Sequence, residues 1–293
     1  HAVLSTRHRG HVEVHAHPAA GGGLAGGAGE TGAAQILDAN HQAGVEQTRQ
    51  VVLGQLRKHA QLHVGQRAHG QRDAIAREAL HQADVVETML RGMLDVIRKN
   101  DLDLAEKLRQ KDDTVDELYS AIKFYMTQIS REALSEREGR RWGDVLSFTI
   151  NMEQVGDIIE RVLQDVEDKK IRKNRSFSDA GMAEICHLHE RLLANLRLSM
   201  SVFLDGHVRD AQKLLEEKAR FRDLEREYAA NHIARLQDNT AQSIETSSLH
   251  LDLISELKRI NSHLCSIAYP ILESAGALAQ TRLRKSKLAG TEE

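Results

Sequence analysis

Apolar side chains recur every three to four positions over most of the chain after residue 75, which is the period of an amphipathic α-helix. The pattern predicts helices at about 76–99, 102–131, 142–170, 181–205 and 207–237, and a sixth from about 243. Pro270 would kink the sixth helix or begin a short final one. A basic, serine-rich linker at 169–179 separates two triplets of matching length. We therefore predict an all-α fold of two consecutive three-helix bundles, produced by an internal duplication.

The chain before residue 76 has a different composition. It holds 12 of the 20 glycines and 9 of the 16 histidines, and it has no Phe, Tyr, Trp or Met. Such a segment buries little apolar surface and is not expected to form a core. We interpret residues 1–75 as a low-complexity, poorly structured segment, or as sequence translated from the wrong reading frame. The predicted domains are 76–172 and 180–285, one bundle each, followed by a tail at 286–293.

Composition narrows the function classes. Aromatic residues make up 3% and there are two prolines, too few for a sandwich or barrel of many short strands. The net charge of −3 argues against a nucleic-acid partner, which would favour a basic surplus. Two cysteines give no disulfide framework and indicate a reducing compartment. No stretch approaches the roughly 20 apolar residues of a transmembrane helix. Because the chain begins with His1, we expect a fragment of a longer protein.

Two pairs of carboxylates are spaced four residues apart on the second and third predicted helices. Asp112 and Asp116 form one pair, and Glu153 and Asp157 form the other. Side chains at i and i+4 lie on the same helix face, so each unpaired couple repels unless a cation lies between the two. At 100° per residue, Asp112 and Asp116 flank the apolar stripe, whereas Asp113 points away from it. A cation here would lie on the bundle surface, and a solvated acidic face is the simpler interpretation.

The six-helix pattern and these pairs resemble the PhoU-like family, over residues of about 76–285. The segment 151–160, which contains Glu153 and Asp157, matches the family's E/D-x-x-x-D motif. The segments 244–263 and 268–273 resemble more closely the cytoplasmic tail domain of bacterial sodium/phosphate cotransporters. The resemblance implies an iron or zinc cluster held by Asp112, Asp116, Glu153 and Asp157. It also implies a role in phosphate transport or its regulation.

The second predicted bundle departs from this motif. Lys218 and Arg222 take the places that correspond to Asp112 and Asp116, although Asp252 and Glu256 remain on the sixth helix. Because two cations beside two carboxylates leave no charge deficit, we expect a metal only in the first bundle. Lys218 and Arg222 are expected to form exposed ion pairs that contribute little stability.

Enzyme chemistry is the rival class. Glu78 with His81, and Glu184 with His187, form the E-x-x-H pair of di-iron helical bundles, which requires inward-facing ligands. On the fourth predicted helix, however, His187 lies about 150° from the centre of the apolar stripe. The neighbouring Cys186, His189 and Glu190 could form a zinc trio, but His189 is better explained as a core histidine with a hydrogen-bond partner.

From the sequence we expect a non-catalytic helical domain that acts with a membrane phosphate transporter domain, in the same full-length polypeptide, at the cytoplasmic face of the inner membrane. A homodimer is possible and a nucleic-acid partner is not expected. One alternative is a free-standing PhoU-like regulator of phosphate signalling. The less favoured alternative is a carboxylate-bridged di-metal enzyme.

Overall fold

The computed structural model describes residues 64–129, 135–237 and 241–278. The predicted tail 286–293 and residues 1–63 of the N-terminal segment lie outside these ranges. The described residues contain eight α-helices: α1 Val64–Lys99, α2 Leu102–Ile129, α3 Glu136–Val166, α4 Asp179–Asp205, α5 Val208–Gln237, α6 Ala241–Glu245, α7 Ser247–Leu264 and α8 Ala268–Ser274. A π-helical turn, Glu167–Ile171, extends α3, and a 3₁₀ turn, Cys265–Ile267, joins α7 to α8. The described part has no strand, which confirms the predicted all-α class.

Local sequence signals explain where several helices begin and end. Ser135 and Glu138 form a capping box at the start of α3. The Ser178 hydroxyl accepts a hydrogen bond from the backbone N–H of Gly181 and caps α4. That helix ends at Gly206, whose φ of 63° lies in the left-handed region that favours glycine. These caps fix the start of α3, which carries part of the candidate site, and both ends of α4.

The first helix is longer than the sequence pattern predicts. It begins at Val64, twelve residues before the predicted start at 76 and within the segment 1–75 that was interpreted as poorly structured. Ala74 and Ile75 are buried in the core. The stretch before them is poor in large apolar residues and contains Gly70, so its periodicity is too weak to predict a helix.

Each triplet packs as the predicted three-helix bundle, and the apolar cores of the two bundles are continuous. Phe148 of α3 stacks on Phe203 of α4, with ring centroids 4.2 Å apart. The His189 ring nitrogen lies 2.7 Å from the Leu90 carbonyl oxygen, and this contact joins α4 to α1. We call α1–α3 the first repeat, and α4, α5 and α7 the second repeat.

The predicted linker at 169–179 is partly packed. Lys170 is only 3% exposed, its Nζ donates to Asn100 Oδ1, and it lies 5.9 Å from the centre of the buried Phe177 ring. The linker therefore ties the end of α3 to the α1–α2 turn. None of the described helices combines the length and the apolar content needed to cross a bilayer.

Candidate metal centre and its second-repeat counterpart

Three of the four predicted metal ligands converge between α2 and α3. Asp116, Glu153 and Asp157 each offer a carboxylate oxygen, and these oxygens all lie within 4.8 Å of one another. Asp116 is exposed, whereas Glu153 and Asp157 are half-buried. The i, i+4 spacing on two adjacent antiparallel helices therefore brings Asp116 of the first pair together with both carboxylates of the second pair. We call these three residues the acidic trio.

Asp112, the fourth predicted ligand, lies deeper than its position beside the apolar stripe suggests. It is 7% exposed, and its Oδ1 is buried without a hydrogen-bond partner among the described residues. Gly156 of α3 makes this depth possible, because a Cβ at that position would lie 2.3 Å from Asp112 Oδ1. The glycine thus forms a cradle for the carboxylate.

The carboxylates of the site repel one another. Burial raises the pKa of Asp112 to about 7, and the carboxylates of Asp116, Glu160, Asp157 and Asp113 add to the rise. Partial desolvation of its carboxyl also raises the pKa of Asp116, with further contributions led by Asp157 and Glu153. The largest neighbouring charges that shift the pKa of Asp112 are all carboxylates, so they add to the effect of burial.

The arrangement fits a metal ion. A carboxylate with an orphaned buried oxygen, an acidic trio on the same two helices, and a glycine that keeps the space open are the features that a multivalent cation would satisfy. Carboxylate oxygens alone suit hard cations and are also ligands of zinc and iron. The donor set therefore agrees with the implied cluster without selecting one metal.

The second repeat has no such acidic face at the corresponding position. Lys218 and Arg222 of α5 lie beside Lys258 and Ser262 of α7 around a common cleft. The Asp252 and Glu256 side chains, which the sequence suggested as their neighbours, are engaged elsewhere. Asp252 Oδ2 lies 3.5 Å from Lys169 Nζ, and Glu256 forms an ion pair with Arg259.

The expected ion pairs of this repeat are only partly present. Lys218 Nζ donates to the Tyr269 hydroxyl at 3.2 Å rather than to an acid. Arg222 Nε lies 3.6 Å from the carboxylate of the adjacent Asp223.

The E-x-x-H residues of α4 do not form a di-iron site. Arg235 donates two hydrogen bonds to the Glu184 carboxylate, at 2.9 and 2.7 Å. His187 pairs with the Tyr228 hydroxyl instead of facing Glu184. Because an arginine already neutralises Glu184, this carboxylate has no charge left for a metal.

The suggested zinc trio on α4 is not assembled either. His189 is buried and holds the Leu90 carbonyl at 2.7 Å, so its nitrogen is occupied within the core. Burial lowers the pKa of His189, which favours the neutral ring that a core position requires. Cys265 is buried and burial raises its pKa to about 12, in agreement with a packed, unreactive thiol.

Two features of the acidic site were missed in the sequence. Gly156 is overlooked when only charged residues are considered as site residues. A glycine inside a helix, however, often marks a place where another side chain or backbone comes close to the helix. Glu160 is the last residue of segment 151–160 and lies three residues after the E-x-x-x-D motif, so the motif does not include it. Its charge nevertheless contributes to the raised pKa of Asp112. The second-repeat cleft was also missed, because its cations were assigned to surface ion pairs.

Comparison with known proteins supports the duplication and the fold. The PhoU domain profile matches residues 80–166 and again 185–271, one copy in each repeat. The crystal structure of PhoU from Pseudomonas aeruginosa superposes with a TM-score of 0.63 at 14% identity, over 70% of this chain and 97% of that one. The phosphate transport system regulatory protein PhoU from Streptococcus pneumoniae gives 0.64 at 16% identity, over 73% and 100%. At these identities the two structures establish the fold alone.

More similar sequences occur among enterobacterial proteins. The chain is 42% identical over 198 residues to the "Putative inorganic phosphate export protein YjbB" of Escherichia coli strain K12 and to its Salmonella typhimurium counterpart. The match covers 68% of this chain and spans 36% of each relative's length. With two profile matches that together cover more than half of its residues, the chain belongs to the PhoU domain family.

Proposed function

We propose that this chain is the regulatory module of a membrane phosphate transporter related to the sodium/phosphate cotransporters, and that it controls phosphate movement at the cytoplasmic face of the inner membrane. The observation that carries the proposal is the 42% identity with a protein named for inorganic phosphate export. Because this chain spans only 36% of that relative, the proposal assigns the transport path to another part of the full-length polypeptide. The module itself performs no catalysis.

The acidic site gives this module a candidate sensing element. Asp112, Asp116, Glu153 and Asp157 would hold an iron or zinc cluster, whose positive charge would neutralise the face between α2 and α3. Asp112, with its pKa of about 7, is protonated in a large share of the molecules at neutral pH, and the bound proton would be released when a cation binds. Metal occupancy would therefore couple the two helices and stabilise the first repeat.

Metal uptake by the purified 293-residue chain tests the acidic site. Asp112→Ala combined with Asp157→Ala should abolish binding of iron and zinc, measured by elemental analysis after dialysis, while circular dichroism shows unchanged helical content. A matched control is Asp252→Ala with Glu256→Ala, which removes the i, i+4 carboxylate pair of the second repeat and should leave metal stoichiometry intact. Equal stoichiometry in the acidic-site variant would refute the assignment.

Transport tests the function. Membrane vesicles that contain the full-length transporter should take up or release labelled phosphate at a different rate when residues 76–285 are deleted, or when both Asp112 and Asp157 are replaced by Ala. Identical initial rates in all three proteins, at equal expression, would contradict the proposed regulation.

A free-standing regulator is the second candidate. It is supported by the solved PhoU chains, of which this chain covers 97% and 100%, so a protein of this extent can exist by itself. An antibody against residues 179–237 distinguishes the two. A band much larger than 32.8 kDa in the membrane fraction supports the transporter module, whereas a band of that size outside it supports the regulator.

A further inference from the structure

A cationic cleft lies on the second repeat, between α5, α7 and the start of α8. Its volume is about 460 Å³, within the range of small-molecule sites. Ten residues line it: Leu215, Lys218, Ala219, Arg222, Glu225, Arg226, Lys258, Asn261, Ser262 and Tyr269. We call this site the cationic cleft.

Cations outnumber acids in the cleft. Four lining residues are Lys or Arg and one is acidic, Glu225, so the formal charge of the lining is +3. Lys258 is neutralised by Glu225, with Nζ and Oε1 2.6 Å apart. Arg222 and Arg226 share the single carboxylate of Asp223, at 3.6 and 3.8 Å, distances too long for a strong hydrogen bond.

Lys218 is the most informative of the four. Its ammonium meets no carboxylate in the described part of the chain; it donates to the Tyr269 hydroxyl at 3.2 Å and lies 5.1 Å from the centre of that ring. The aromatic ring and hydroxyl hold the ammonium in place without neutralising it. Because Lys218 is half-buried, its charge is concentrated at the cleft rather than spread into solvent.

These donors match the oxygens of a phosphoryl group. An arginine presents a planar fork of N–H donors, and lysines add mobile point charges, which is the usual combination at phosphate sites. A surplus of about two to three positive charges suits a dianion better than a single carboxylate. The Ser262 hydroxyl at the wall donates to the Lys258 carbonyl and the Asn261 amide is buried, so the cations are the principal donors for such an anion.

The cleft also has an apolar side, formed by Leu215, Ala219 and the Tyr269 ring. Bare inorganic phosphate would leave this side without a contact. We propose that the cationic cleft binds a small organic phosphate ester, with the phosphoryl group at Lys218 and Arg222 and the organic part against Tyr269. This site lies outside the acidic face, and the inference does not depend on metal binding.

The duplication explains why one repeat has each kind of site. In α5 the cations Lys218 and Arg222 stand where the sequence pattern of α2 has Asp112 and Asp116, and their neighbours at the cleft on α7 are Lys258 and Ser262. The four predicted ligands of the acidic site are all carboxylates, whereas these four residues of the cleft include three cations and no acid. Removal of a metal site requires only the loss of carboxylates, whereas the concerted gain of cations points to an anionic ligand.

Isothermal titration calorimetry with the full chain tests the inference. EDTA keeps the acidic site free of metal, so phosphate cannot bind there through a cation. We expect ATP to bind, adenosine not to bind, and inorganic phosphate to bind at least tenfold more weakly than ATP. Lys218→Gln combined with Arg222→Gln should weaken ATP binding at least tenfold, whereas Lys213→Gln, an exposed residue of α5 outside the cleft, should leave it unchanged.

Other outcomes would overturn the inference. Absence of ATP binding to the native chain would do so, as would equal affinity of the native and double-variant chains. Inorganic phosphate that binds as tightly as ATP would reject the organic part of the ligand. Flotation with phosphatidylglycerol vesicles that depends on Lys218 and Arg222, without binding of ATP, would assign the cleft to a membrane surface instead. Metal uptake by the double variant must equal that of the native chain, so that failure of this site and of the acidic site remain separable.

Discussion

The two repeats treat a buried carboxylate in opposite ways. In the first repeat, Asp112 is buried with an orphaned oxygen, and burial among other acids raises its pKa to about 7. In the second, burial raises the pKa of Glu184, but hydrogen bonds from His250 and Arg235 outweigh this effect and lower it to about 2. The second repeat has resolved its buried charge within the chain. In the first repeat no described group bonds to the buried Asp112 Oδ1, which is a feature expected of a binding site.

The largest effect that would break this comparison lies in the second repeat. Arg235→Ala should cost about 3–5 kcal/mol of unfolding free energy at pH 7, because it leaves the buried Glu184 charge without its cation, with only His250 and Asn231 as partners. Urea denaturation measures the loss. The control is Arg259→Ala, which breaks the more exposed ion pair between Arg259 and Glu256. This substitution should cost less than about 1 kcal/mol of unfolding free energy. Similar losses for the two variants would show that the Glu184 network does not stabilise the repeat.

The stability that the Glu184 network provides should depend on pH. The pKa of Glu184 lies below its ordinary value of 4.5. The ionised carboxylate therefore contributes fully to the stability of the folded state above pH 4.5, and this contribution is lost as the pH falls toward 2. The thermal midpoint of the native chain should therefore decrease over this range. In Glu184→Gln this part of the decrease should be absent.

The next effect concerns the cradle of the first repeat. Gly156→Ala places a Cβ 2.3 Å from Asp112 Oδ1, so it should destabilise the chain by about 1–3 kcal/mol and weaken metal uptake. Gly143→Ala in the same helix is the matched control. Apart from its chain neighbours and the backbone of its own helix, no atom lies within 4 Å of its new Cβ, and replacing a helical glycine should stabilise by about 0.5–1 kcal/mol. Stabilisation by both substitutions would show that the Asp112 carboxylate can move aside freely.

Most of the fold follows from the sequence because each helix carries a long apolar stripe. The helices α2, α4 and α5 begin or end within a few residues of the predicted positions, since Asp101, Ser178 and Gly206 punctuate them. The start of α1 could not be predicted, because tertiary burial of Ala74 and Ile75 stabilises a stretch with a weak pattern. The continuity of the apolar core between the two repeats could not be predicted either, because an apolar stripe does not indicate which neighbouring helix covers it.

The candidate sites were predictable to different degrees. Spacing of four residues places two carboxylates on one helix face, but it does not report how close another helix comes, so the depth of Asp112 became visible only with Gly156 opposite. In the second repeat, the cations of α5 were recognised. Their neighbours on α7 were misassigned as Asp252 and Glu256, because the register between two helices is set by core packing and not by the charged residues.

A smaller effect separates the proton from the metal at Asp112. Its folded pKa of about 7 lies above the ordinary 3.8, so the folded state binds more protons between these values, and stability without metal should fall as the pH rises from 4 to 7. Asp112→Asn removes the charge and should raise the thermal midpoint at pH 8 by a few degrees in EDTA. Differential scanning calorimetry at pH 5 and pH 8 measures this change. A midpoint lowered by the substitution at pH 8 would contradict an unpaired buried charge.

The smallest effect is expected where the two repeats meet through surface charges. Lys169 of the π-helical turn lies 3.5 Å from Asp252 of α7, and the two side chains are 37% and 54% exposed. Water screens such a pair, and Lys169 also has Asp165 as a partner at 3.0 Å. Asp252→Asn should therefore change the unfolding free energy by less than about 0.5 kcal/mol. A loss as large as that of Arg235→Ala would mean that burial does not decide which charged contacts hold this protein together, and the contrast between Asp112 and Glu184 would lose its basis.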